Sequence, residues 1–148
     1  MYNITLICTM HREIGKCNSK ELYNIIKKVN PEIIFEEFDV SRTGDEYYKN
    51  GHYKNQTVCS LETITLMRYL ENHQVIHIPV DTYDTTDIHK EYADYMHRKI
   101  SKNSEEYTNL VKMNFILSCQ QGFPYLNSLE CSDLLQKIRF IEEKLLIF

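Results

Sequence analysis

The sequence predicts an α/β fold, a small parallel sheet with a helical C-terminal portion. Three observations predict it. Apolar runs near residues 3–10, 32–38 and 74–80 have the length and β-branched content of strands. The segments between the runs contain apolar residues at helical spacing. Beyond Asp81 only helical periodicity remains. Strands alternating with helices imply parallel pairing through right-handed crossovers. Residues 1–81 therefore read as a βαβαβ core, and 82–148 as a helical portion of one single domain, 1–148.

The first run, Ile4 to Met10, ends on His11 and passes into a polar loop. Asn18 or Ser19 then caps a helix, with Glu21 three positions after Asn18 as in a capping box. Leu22, Ile25, Ile26 and Val29 form its apolar stripe, and Asn30-Pro31 stops it. Residues 32–38 form the second strand, continuously apolar at Ile33 to Phe35, as when both faces are covered. A long polar connection runs from Asp39 to Thr57, and loops of that length are often functional.

Ser60 is the expected cap of the next helix, with Leu61, Ile64, Met67 and Leu70 on its apolar face. Residues 74–80 form the third strand, which ends on Asp81. Pro79 removes a ladder donor and suggests an edge or a strand end. A helix over about 87–102 follows, then one capped by Ser104, a break at Gln121-Gly122-Phe123-Pro124, and a last helix capped by Ser132. Leu134, Ile138, Ile141 and Leu145 give that last helix a heptad-like seam. A homodimer through the C-terminal helices is one use for the seam; packing on its own domain is the other.

Composition narrows the function classes. A net charge of −4, with no Lys/Arg run, argues against an electrostatic nucleic-acid binder and against a basic membrane-surface protein. No run approaches the ~18 apolar residues of a membrane span. The N-terminus has no basic region or cleavage site of a signal peptide. Five widely spaced cysteines without a CxxC pair suggest reduced thiols and a cytoplasmic protein.

Ligands of open parallel sheets sit at the carboxyl ends of the strands. Topology alone would bring four polar residues there: His11 after the first strand, Glu36 and Glu37 at the end of the second, and Asp81 after the third. Imidazole and carboxylates in one cluster could hold a divalent metal ion or perform general acid–base work. Glu13 could reach the same edge from its loop. The competing reading is that strands end in polar residues because the chain meets water there.

The run Ile4-Thr5-Leu6-Ile7-Cys8-Thr9-Met10-His11, the capped helix, and Asn30-Pro31-Glu32-Ile33-Ile34-Phe35-Glu36-Glu37-Phe38-Asp39 together resemble the opening of the TraB/Tiki-type superfamily. That group includes erythromycin-esterase-like and ChaN-like proteins. The resemblance spans residues 4–42 and places His11 on a motif histidine, Glu37 on a motif glutamate and Arg42 near a commonly basic position. It implies hydrolysis, metal-dependent or acid–base, in some members and haem handling in others. His11 would then be metal ligand or general base, with Glu37 orienting it, sharing the metal or activating water. Glu36 and Asp81 would be further metal ligands.

The substrate would be a small molecule or peptide, covered by the loop after Asp39. Cys8 stands where the motif has glycine, and the chain lacks the second half of the larger family fold. Both departures favour an alternative from another class: a non-catalytic binding or oligomerisation module that keeps the fold. A third reading is a haem or small-molecule binder using His11 or His52.

Other candidates are weaker. Asp81, Asp84 and Asp87 lack the spacing of a calcium loop and suit loop and cap duty. His73 and His77 straddle a helix–strand boundary, so they share no helical face. Cys8 is expected to be buried in the first strand, and Cys17 precedes a helix N-terminus, where a thiolate would be stabilised. Nucleotide, zincin and serine-hydrolase signatures are absent from the sequence.

Overall fold

The computed structural model describes the backbone of residues 3–39, 60–81 and 87–146, and the side chains of 3–37, 60–80 and 92–145. The chain forms two compact units: Met1–Glu13 with Cys17–Asp84, and Ile14–Lys16 with Thr85–Phe148.

The first unit contains α1 (Ser19–Val29), β1 (Ile33–Asp39), α2 (Leu61–Leu70) and β2 (Ile76–Asp81). The helix ends follow local chemistry. The Asn18 side chain accepts from the Glu21 N–H at 3.0 Å, and the Glu13 carboxylate accepts from the Ser19 N–H at 2.8 Å. Two of the unpaired donors of the first turn are thereby satisfied. Asn30 closes α1 in the left-handed region, at φ 50°, and its N–H donates to the Ile26 carbonyl. Ser60 caps α2 by accepting from the Thr63 N–H.

α1 packs on α2 through buried Leu22, Ile26, Leu61, Leu66 and Tyr69. The buried face of α2 is rotated from the expected one. Leu61, Thr65 and Tyr69, four apart, point inward, while Ile64 is exposed. Thr65 can be buried because its hydroxyl donates to the Leu61 carbonyl at 2.7 Å.

β1 and β2 pair in parallel, Ile33 opposite Ile76, Ile34 opposite His77 and Phe35 opposite Ile78. The sheet has these two strands among the described residues. The expected βαβαβ core therefore reduces to a β-α-β unit preceded by α1. Residues 3–10 make no strand, and Ile4 and Leu6 are almost fully exposed. β-branched content favours extended backbone, but a strand exists only where an edge pairs with it. Cys8, expected inside that strand, is exposed, whereas Cys17 is buried.

The second unit is helical: α3 (Asp87–Asn103), α4 (Glu105–Gln121), α5 (Phe123–Leu126) and α6 (Leu129–Leu146). Ser104 caps α4 through the Tyr107 N–H. The last helix starts earlier than expected. Its cap is Ser128, whose hydroxyl accepts from the Cys131 N–H, and Ser132 lies within the helix. Ile100, Tyr107, Leu134 and Ile138 form the core, with Leu110, Val111, Ile141 and Leu145 packed against it. The heptad-like seam of α6 is thus used inside its own unit.

Gly15, at φ 52°, lies so close to the Cys119 carbonyl that a Cβ there would overlap it. The next N–H, of Lys16, donates to that carbonyl at 2.9 Å. Among the described residues, no helix is long and apolar enough to cross a membrane.

Candidate functional site

Two histidine–carboxylate pairs stand out in the first unit, and neither is the expected cluster. Their placement follows from the sheet register and from the N-terminus of α2.

Successive strand residues point to opposite faces, while partners in the ladder share one. Ile34, Glu36 and His77 therefore lie on one face of the sheet. His77 Nε2 is 2.7 Å from Glu36 Oε2, with the His77 side chain 1% exposed and that of Glu36 6%. A buried carboxylate needs such a partner, because desolvation without one costs several kcal/mol. Glu37 lies where the register with β2 becomes irregular, and it is exposed. The adjacent glutamates thus differ in burial.

His11 lies at the N-terminus of α2. Its carbonyl accepts from the Leu61 N–H at 3.3 Å, and its Nδ1 is 3.6 Å from Glu62 Oε2. That distance is within ion-pair reach but too long for a hydrogen bond. Glu62 is held from its other oxygen by the Thr9 hydroxyl. Its side chain is 17% exposed, against 72% for His11. Glu62 also sits in the first turn of α2, where the helix dipole favours its negative charge. The imidazole thus faces solvent beside an anchored carboxylate.

The expected grouping of His11, Glu36, Glu37 and Asp81 is not assembled as a metal centre in what is described. Glu36 faces His77, Glu37 is exposed, and His11 faces Glu62. At the carboxyl end of the strand pair, Asp81 is in register with Asp39 through the backbone. Among the described residues, no group of three or more His, Cys, Asp or Glu side chains could hold a metal ion. Glu13 is taken up by the α1 N-terminus. The Ser19 hydroxyl and N–H hold its carboxyl below the ordinary range against a small desolvation. The loop from residue 40 to 57, Arg42, His52, Asp84 and the side chain of Asp87 lie outside the described residues. His73 stacks on the Tyr69 ring at 4.1 Å and bonds its carbonyl, a helix-end role.

The sequence offers His77 only as a weak partner of His73, and Glu62 not at all. His77 had a readable signal, being the one polar side chain within Val75-Ile76-His77-Ile78-Pro79-Val80. A polar group inside an apolar strand requires a partner. Glu62 had none, since an acidic residue in a first helical turn is ordinary.

Among the described residues the other sheet face is open. Ile33, Phe35, Ile76, Ile78 and Val80 lie along it, with exposures from 37% at Ile78 to 64% at Phe35. In the helical unit, an open groove of 780 Å³ is lined by Ser104, Glu106, Lys137, Phe140 and Ile141 among others. None of the nominated residues lines it.

Fold and site together define a mixed α/β chain with a small parallel sheet. No protein-family profile, curated protein or solved structure matches it.

Proposed function

We infer that this chain is a binding or association module, in which the open face of the β1–β2 sheet docks a partner. The observation that carries this reading is the row of exposed apolar side chains at Ile33, Phe35, Ile76, Ile78 and Val80. Parallel sheets have both faces covered, because their strands are apolar on both sides. Here Glu36 and His77 are buried on one face, and among the described residues the opposite face is left largely exposed. Patches of this kind mark interaction sites.

Phe35→Lys tests whether the face is open in the single chain. At high dilution, thermal or urea unfolding followed by circular dichroism should shift by less than about 0.5 kcal/mol, as for an ordinary surface substitution. A loss of about 3 kcal/mol or more would show that the chain covers the face itself, and would remove the reading.

A second reading is favoured by the His11–Glu62 pair. An exposed imidazole beside an anchored carboxylate suits a general base. This moves the TraB/Tiki-like acid–base proposal from a His11–Glu37 pairing to a His11–Glu62 one. Its test is hydrolysis of a panel of small activated esters and short peptides. Turnover should fall at least about 100-fold in His11→Ala and about tenfold in Glu62→Gln. Equal residual rates in wild type and both variants would end it.

A further inference from the structure

We propose that the open sheet face is a self-association surface: two copies of this chain stack their β1–β2 sheets face to face, strands antiparallel, with Phe35 near the two-fold axis. This rests on the association reading above and names its partner. Three observations select a second copy over another occupant.

The first is area. At about 200 Å² per large apolar side chain, the exposed parts of the five residues amount to roughly 500 Å² per copy. Two such faces bury about 1,000 Å², the lower bound of a specific interface. The expected outcome is reversible association in the micromolar range.

The second is shape. A two-stranded face of alternating aliphatic and aromatic side chains is complemented by another sheet face, at the ~10 Å spacing of stacked sheets. An isologous contact needs only one self-complementary patch.

The third is charge. None of the five residues is basic, so the face offers nothing to an anionic lipid or a phosphate. Exposed Glu37 and then Asp39 stand at the C-terminal end of β1, just beyond the apolar row. Stacking the strands in parallel would bring the two Glu37 carboxylates together. Stacking them antiparallel sends them to opposite rims, next to water.

The full chain is examined by sedimentation velocity across the micromolar range. The wild type should move from the mass of one 17.7 kDa chain towards two as concentration rises. Phe35→Lys, which brings two cations to the axis, should weaken the association more than tenfold. Glu37→Gln should change it by less than threefold. A photo-crosslinking p-benzoylphenylalanine in place of Phe35 should give a covalent dimer whose crosslink maps to 33–39 or 76–81 of the other copy.

A wild type that stays monomeric at high concentration overturns the second copy. If Phe35→Lys keeps its stability in that case, the association reading survives with a different partner. A dimer that ignores Phe35→Lys and crosslinks elsewhere also overturns the proposal. A crosslink confined to its own chain overturns both.

Discussion

The helical unit and the sheet unit treat their apolar and polar groups differently. In the helical unit, Ile100, Tyr107, Leu134 and Ile138 close on one another, and the Tyr107 hydroxyl is served from both sides. It donates to Glu142 Oε1 at 2.9 Å and accepts from His97 Nδ1 at 2.9 Å. In the sheet unit the α1–α2 pair is closed, but the sheet buries a histidine–carboxylate pair on one side and leaves five apolar residues open on the other. The difference comes from topology. Each helix of the second unit finds its partners in adjacent helical hairpins. A two-stranded parallel sheet has one ladder and needs layers on both faces, which must come from elsewhere in the sequence or from another molecule.

The largest expected effect breaks the closed side of the sheet. Glu36→Leu removes the partner of a side chain that is 1% exposed. The loss should be about 3 kcal/mol, read as faster amide exchange across β1 and β2. Adding His77→Leu should recover most of it, since replacing both members of a buried polar pair by apolar groups is often close to neutral. If the double variant is as unstable as the single, the pair does more than satisfy itself, and the two faces of the sheet are not independent.

A smaller effect is expected in the helical unit from Tyr107→Phe. The substitution keeps the ring in the core and deletes the hydroxyl between His97 and Glu142, at a cost of about 1 to 2 kcal/mol near neutral pH. Burial first, and then the hydrogen bond and charge of Glu142, push the Tyr107 phenol up to about 12. A phenol that holds its proton more tightly when folded contributes stability that is complete below pH 10. That contribution is lost as pH rises through about 12. Alkaline unfolding of the wild type should therefore steepen above pH 10, and Tyr107→Phe should flatten part of that slope. Tyr125, also pushed up to about 12 chiefly by burial, and Tyr69, raised chiefly by burial, contribute to the slope that stays.

Sequence reasoning reached the features written in local chemistry. Asn18, Ser60 and Ser104 cap the helices assigned to them, because an N-cap is a contact made within three residues. The runs at Ile33 and Ile76 became strands because each has the other as partner. Residues 3–10 have the same composition and no partner edge, so their expected strand is absent. The expected site depends on that same strand. His11, Glu36, Glu37 and Asp81 share one edge only if three strands end there. Without the first strand His11 falls beside Glu62, and Glu36 is buried while Glu37 is exposed. Both observed pairings join residues more than 40 positions apart, Glu36 with His77 and His11 with Glu62. Such pairings depend on register and helix placement, which no local pattern encodes.

The smallest expected effect lies at the N-terminus of α1 and separates cap chemistry from packing. Glu13 is an exposed carboxylate that accepts from the Ser19 N–H, and the Ser19 contacts lower its pKa. A depressed carboxyl contributes stability that is present above its unfolded value. The contribution is lost as pH falls through the folded one, so Glu13 supports α1 at neutral pH and fades in the acid range. Solvent screening at an exposed site limits this to a few tenths of a kcal/mol. Glu13→Gln keeps an acceptor oxygen and removes the charge. It should shift the unfolding midpoint slightly at pH 7 and not at all once wild-type Glu13 is protonated. Asn18→Ala, by contrast, should cost about 1 kcal/mol at both pH values, because its amide oxygen caps without titrating. A Glu13→Gln effect that persisted unchanged into acid would mean that the loop is held by packing, and that the charge of Glu13 contributes nothing to α1.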